Sequence, residues 1–327
     1  MTPADLSVTV LRAVRRAVDE GALPRGVAVP ERVVVERPRA GGCGDWATNA
    51  ALRLAREAGM APLAVAEVLS AALRGEPGIG RVDVTGPGFL NFTCERGVGG
   101  GVAAAVREVG VRGARYGFGE GMRGQRVELV CGGGVREGVY AEAVRGLLVA
   151  QGADVRVREG EDVSVVVRGA HYDPRGLGRD ACQWALLRPA AGDRVLDGPP
   201  LLVQGEGNGL FLVRYAHARA RALVRNAGEW GFAGECGDDL GASRLGGLIV
   251  EYPGVLEAAA RLRAPDRVAR ALEAVADALL DFQHGVLPMG EEKPSAAHRS
   301  RLALAEAAGT VLAGGLALLG VSAPDHL

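Results

Sequence analysis

A run of three glycines follows a cysteine at Cys131-Gly132-Gly133-Gly134, between an apolar stretch, Val127 to Val130, and a segment of helical pattern. Backbone amides at the start of a helix bind anions, so the loop is a candidate phosphate cradle. It lacks the lysine and hydroxyl of a P-loop and the G-x-G-x-x-G spacing, and a collapsed loop is the simpler alternative. Cys131 acting as a nucleophile would need a base beside it. His171 is the sole histidine in this part of the chain, and its position is not fixed by the sequence.

Two other groups carry binding chemistry. Phe89 and Asn91 lie on one side of an alternating stretch, Phe89 to Cys94; an exposed aromatic stacks on an unpaired base while an amide bonds its edge. The alternative is a core phenylalanine and an asparagine that fixes a turn. Arg214, Arg221 and Arg225, at spacings of seven and four, fall on one side of a helix and could follow a phosphate backbone, or could form an ordinary solvated face. Tyr215 and His217 in the same helix read as packing residues.

Composition limits what these groups can do. The net charge of -1 excludes a uniformly basic nucleic-acid coat, so any polyanion site must be local. Lys293 is the only lysine among 38 basic residues; codon preference alone explains such an arginine excess, which is therefore no argument for RNA. The five cysteines stand 37 or more residues apart, so no Cys-x-x-Cys pair starts a zinc or redox site. No metal and no cofactor are expected, and reduced thiols fit a cytoplasmic chain. The longest apolar tract, near Val311 to Ala323, has about 13 residues against the ~20 that span a bilayer, so no membrane segment is expected.

The elements that would position these residues emerge from periodicity. Leu6, Val10, Val14 and Val18 predict a helix over 4–20, Val33 to Val35 a short strand, and 46–58 a helix stopped by Gly59. Pro62 opens another helix. Strands are expected at 82–85 and 89–94 across the Gly86-Pro87-Gly88 turn. The polar, glycine-rich 111–123 reads as a linker, then a strand at 127–130, a helix at 139–151 and a buried strand at 163–167, where Val127, Leu129, Val165 and Val167 should face the core. Helices near 208–227, 239–251, 266–282 and 295–318 complete a bundle, with Val268, Leu272, Val275, Leu279 and Phe282 as one apolar stripe. The expected fold is an α/β domain at 1–110, a linker, a reduced α/β segment at 124–200 and an all-α domain at 201–327.

Several strings resemble arginyl-tRNA synthetases: Gly44-Asp45-Trp46-Ala47-Thr48-Asn49, Gly86-Pro87-Gly88-Phe89-Leu90-Asn91-Phe92, Arg214-Tyr215-Ala216-His217-Ala218-Arg219, the Tyr252-Pro253 turn, and Leu318-Leu319-Gly320-Val321-Ser322-Ala323-Pro324. They cover about residues 1–110 and 178–327 and imply a domain that touches the outer corner of tRNA, a Rossmann-like remnant and an anticodon-binding bundle. The middle departs from the family. Its His-x-Gly-His-x-Arg signature, which contacts ATP, falls on Cys131 to Arg136. Gly133 and Arg136 survive, and the histidines are lost to Cys131 and Gly134. The Lys-Met-Ser-Lys loop has no counterpart, although Gly178 to Leu187 resembles the family's segment on the C-terminal side of that loop. At the anticodon end an arginine is replaced by Gly285, Asp281 adds negative charge, and Leu327 stands for a terminal methionine.

The resemblance therefore implies a synthetase-like protein without aminoacylation activity. It would bind tRNA, arginine tRNA being one candidate, mainly through Phe89 and Asn91. A subunit that holds a protein partner, such as a genuine synthetase, and an enzyme using charged tRNA for another transfer are the alternatives.

Overall fold

The computed structural model describes residues 3–24, 26–36, 38, 43–94, 101–237 and 243–327. The chain forms two compact units, Met1–Gly101 and Val102–Leu327.

In the first unit, helices α1 (Pro3–Asp19), α2 (Ala50–Ala58) and α3 (Pro62–Leu73) accompany an antiparallel sheet of β1 (Trp46–Thr48), β2 (Ile79–Thr85) and β3 (Phe89–Cys94), ordered β1-β3-β2. Leu6, Val10 and Val14 of α1, Leu69 and Leu73 of α3, and Leu90 and Phe92 of β3 make its core. The helix expected over 46–58 is instead a strand and a shorter helix. Trp46 pairs with Phe92 and Thr48 with Leu90, and Gly44 permits the approach: its φ is +81°, and a Cβ there would stand 2.5 Å from the Phe92 carbonyl oxygen. The strand expected at 33–35 makes no ladder; the neighbouring Glu36 forms an isolated bridge with Ala47, and Val34 accepts from the Thr48 hydroxyl at 2.6 Å.

The second unit begins with α4 (Val102–Arg112) and a 3₁₀ turn, Gly113–Arg115, so the stretch 111–123 is packed structure rather than a free linker. Its Tyr116 is buried. Next, β4 (Arg126–Cys131), α5 (Val135–Ala150) and β5 (Asp154–Glu159) form a β-α-β unit whose strands are parallel. The second strand was expected at 163–167, but that segment is irregular. Ser164 and Val165 cross the end of β4, both amides donating to the Val130 carbonyl at 2.9 and 3.1 Å. Leu129 and Val165 are buried as expected, Val127 and Val167 only half-buried, and Val166 is 77% exposed. In β5 the alternation Val155, Arg156, Val157, Arg158 leaves the valines half-buried and the arginines exposed. Parallel sheets usually need both faces covered. Here Arg126 faces Asp154 at 3.9 Å and Arg158 faces Glu128 at 3.1 Å, so ion pairs dress these two strands for water.

A short helix α6 (Arg179–Leu187) and the single turn α7 (Gly198–Leu201) lead to the bundle: α8 (Gly209–Glu229), α9 (Arg244–Leu262), α10 (Asp266–Phe282) and α11 (Ala296–Leu318). The helix expected from 239 starts at Arg244, and 239–242 lie outside the described residues. Of the expected stripe, Val268, Leu272, Val275 and Leu279 are buried, and Phe282 is half-buried. Gly309 lets α11 close on α8, since a Cβ would lie 2.8 Å from that of Ala220. By length and composition α11 could cross a bilayer, yet 67% of its most apolar window is buried inside the protein.

Two interactions tie the second unit together. Tyr252-Pro253 is not a turn; Pro253 sits inside α9. Having no N–H, it leaves the Ile249 carbonyl, four residues back, without its helical donor. The Tyr116 hydroxyl supplies one at 3.0 Å. The other is Arg136, only 1% exposed. Its Nε donates to the Leu186 carbonyl at 3.1 Å, Nη1 to those of Arg168 and Asp193 at 2.7 Å each, and Nη2 to Pro189 and Ala190 at 3.3 and 2.9 Å. All five N–H donors of the guanidinium are used. Burial pulls its pKa down, but a guanidinium titrates too high to lose its proton, and the negative end of α6, where the Leu186 carbonyl lies, favours a cation.

Arg136→Lys, with three donors for five acceptors, should lower stability by roughly 2–5 kcal/mol, read from urea unfolding followed by circular dichroism; a loss below about 1 kcal/mol would contradict this assignment. Tyr116→Phe should cost about 1–2 kcal/mol in the parent and distinctly less in a Pro253→Ala background, where an alanine amide reaches Ile249. Equal costs in both backgrounds would remove the pairing.

Candidate nucleic-acid interface

The loop between β4 and α5 comes first because a phosphate site was expected there. Glu137, in the first turn of α5, reaches back: its Oε2 accepts from the Gly132 amide at 2.8 Å and from the Gly134 amide at 3.3 Å. This is the glutamate half of a capping box, since Gly134 has no side chain to complete it, and it places a carboxylate where an anion would bind these amides. Cys131 is buried, its thiol 3.5 Å from the Arg158 carbonyl oxygen. The histidine sought as its base is engaged elsewhere, His171 facing Asp197 at 3.3 Å and Arg194 at 2.9 Å. Gly133, with φ of +86°, makes the turn. Arg136 points inward to its five carbonyls, away from the loop's anion position. Glu137 was not singled out from the sequence, although an acidic side chain three residues after Gly134 was the available signal.

In the first unit the motif residues hold the fold. The Asp45 carboxylate accepts from the Cys94 amide at 2.8 Å. Asn91, expected to present its amide to a base edge, is 2% exposed, and its Nδ2 donates to the Thr85 hydroxyl at 2.6 Å. It ties β3 to β2 and is not available as a reader. Phe89, at the start of β3, is half-buried.

Helix α8 carries the larger array. Asn208 caps it, accepting from the Phe211 amide at 3.2 Å. Arg214, Arg221 and Arg225 do share one side of α8, as their spacing requires, and the segment after α11 lies along them. Arg214 Nη2 is 3.6 Å from the Asp180 carboxylate and 3.4 Å from the Ser322 hydroxyl, while its Nε is buried with no partner. Arg221 Nε donates to Asp325 at 3.1 Å. Arg225 reaches the Asp325 carbonyl and the His326 ring, both at 3.4 Å. His217 packs inside as expected: its Nδ1 donates to the Pro324 carbonyl at 3.0 Å, and burial lowers its pKa, favouring the neutral ring. Tyr215 does not pack inside. It is 40% exposed and stacks on Phe211, ring centroids 5.6 Å apart.

Beside that aromatic pair lies an open cavity of about 340 Å³, walled by Gly178, Arg179, Leu202, Val203, Phe211, Arg214 and Leu327 among others. Arg179, Arg214 and one ring, that of Phe211, line the cavity together with Asp180, and guanidinium groups beside a ring can take the phosphate and base of an unpaired nucleotide. At the other end of α10, Asp281 is paired with Arg244 at 3.6 Å. Where an arginine was missed at Gly285, Arg301 of α11 donates to the Gly285 carbonyl at 3.0 Å, so a cation stands there from a different element.

Residues 213–327 match the family model of the DALR anticodon binding domain, and residues 8–94 that of the arginyl tRNA synthetase N terminal domain. The arginine–tRNA ligase of Micrococcus luteus is 42% identical over 168 residues, 47% of this chain and 30% of that enzyme. That of Paenarthrobacter aurescens is 25% identical over an alignment of 552 positions covering all of both chains. The solved arginyl-tRNA synthetase of Thermus thermophilus matches with a TM-score of 0.70 at 13% identity, covering 100% of each chain. That of Plasmodium falciparum matches at 0.66 and 8%, covering 99% of each. At such identities the structural likeness speaks for the fold alone. Residues 8–94 and 213–327 thus match, in order, the two end domains of arginyl-tRNA synthetases, in a chain of 327 residues where full-length synthetases have about 550.

Proposed function

We propose that this protein binds tRNA in the cytoplasm without activating arginine, and that it acts as a tRNA-binding or regulatory module. The observation that carries the proposal is the loop at 131–136, where a carboxylate of the chain itself holds the Gly132 and Gly134 amides and the signature arginine position is spent on five internal carbonyls. Adenylation needs donors aimed at developing phosphate charge, and losing one such donor commonly costs on the order of 100-fold or more. Here both histidine positions are changed, to Cys131 and Gly134, and the remaining amides face a negative group. Binding rests on other parts: the DALR match over 213–327, the arginines of α8, and the Phe211–Tyr215 stack beside the cavity.

A protein partner is the second reading, favoured by Leu202 and Val203, large apolar side chains exposed at the cavity rim.

Two assays separate these readings. Arginine-dependent pyrophosphate exchange should not rise above a control lacking the protein; exchange above it, with contaminating synthetase excluded, overturns the loss of activation. In filter-binding titrations at fixed salt the chain should retain tRNA, and Tyr215→Ala should weaken it about 5- to 150-fold, the effect of one stacked base. Retention no better than that of an acidic control protein would remove the RNA reading and leave the protein partner.

A further inference from the structure

We propose that Arg221 and Arg225 form a site for RNA backbone phosphate and that Asp325 of the C-terminal segment occupies it in the free protein. The proposal rests on the tRNA-binding function and adds a competitor built into the same surface.

The two guanidinium groups are one helical turn apart on α8, a spacing at which both can reach one group. What they hold is a single residue and its neighbour: the Asp325 carboxylate at 3.1 Å from Arg221 Nε, the Asp325 carbonyl at 3.4 Å from Arg225 Nη1, and the His326 ring. A carboxylate and a carbonyl oxygen on two adjacent arginines are the acceptor set that a phosphodiester would supply, and planar guanidinium forks suit either.

The segment is held unevenly. Up to Pro324 it is anchored: Ser322 donates to Asp180 through its amide at 3.0 Å and through its hydroxyl, and Pro324 is tied to the buried His217. From Asp325 onward the residues are exposed. The Arg221–Asp325 pair has side-chain exposures of 46% and 54%, and ion pairs that wet are weak. A phosphate can therefore replace Asp325 without disturbing the anchored part. Arg214 differs from the other two, being paired to the anchored Asp180 and Ser322, and it is not part of the exchange.

The test compares the full-length parent with Asp325→Ala, Arg221→Ala/Arg225→Ala and the triple variant. Total tRNA is titrated by filter binding at several salt concentrations, and inorganic tripolyphosphate by calorimetry. Asp325→Ala should tighten both ligands about 2- to 5-fold, the strength of a half-exposed ion pair, and steepen the logarithmic salt dependence of tRNA binding by about one to two. The triple variant should lose the gain. If Asp325→Ala leaves tripolyphosphate unchanged or weaker, the proposal falls, whatever tRNA does. If tripolyphosphate tightens while no variant retains tRNA, the arginine site and its competitor stand and the tRNA-binding reading is what fails.

Discussion

A guanidinium sealed from water must have every proton placed, because an unmet donor on a buried cation costs far more than one at the surface. Arg136 meets that requirement with carbonyls from Leu186, Pro189, Ala190, Asp193 and Arg168. Those residues lie at the end of α6 and in the irregular segments on either side of it, where no regular ladder could fix them. One side chain at the start of α5 therefore sets the path of a region too small to build a full parallel sheet. The same demand turns Arg136 inward and leaves the glycine loop to Glu137.

Other sites show the same arrangement, in which a vacancy is filled from within the chain. Pro253 frees a carbonyl in α9 and Tyr116 donates to it. Gly285 lacks a side chain and Arg301 comes to stand beside it. The two strands that remain of the α/β middle carry cross-strand ion pairs rather than a second apolar layer. Each is a local answer to one group: two lie in the helical bundle, and the cross-strand ion pairs lie in the α/β middle.

Periodicity was sufficient for α1, α8, α10 and α11, whose apolar residues recur at three and four, and for β3 with its alternating faces. It failed where tertiary contacts decided. Residues 46–58 read as one helix, and Ala50, Ala51 and Leu54 are buried on α2, but residues 46–48 pair with β3, and a strand wins there over alanine's preference for helix. Val165 to Val167 looked like a buried strand because apolar runs do. The actual strand, Asp154–Glu159, was legible as a strict Val-Arg alternation. At the site, the spacing of Arg214, Arg221 and Arg225 gave their shared side correctly. The burial of Asn91, the exposure of Tyr215 and the cover provided by Ser322 to His326 depended on long-range packing that spacing does not encode. Glu137 carries only a short-range signal, an acid three residues after the N-cap glycine, which does not by itself distinguish a loop closed by the chain from one open to an anion.

Closure of the loop at 131–136 by the protein's own groups decides whether a nucleotide can bind there. It is tested most directly by following the Gly132 and Gly134 amide resonances of the uniformly ¹⁵N-labelled full-length chain during titration with magnesium ATP. Neither amide should shift in a saturable way, because Glu137 keeps both. A saturable shift of both amides, absent when ATP is replaced by an uncharged nucleoside, would show that phosphate displaces the carboxylate and would contradict it.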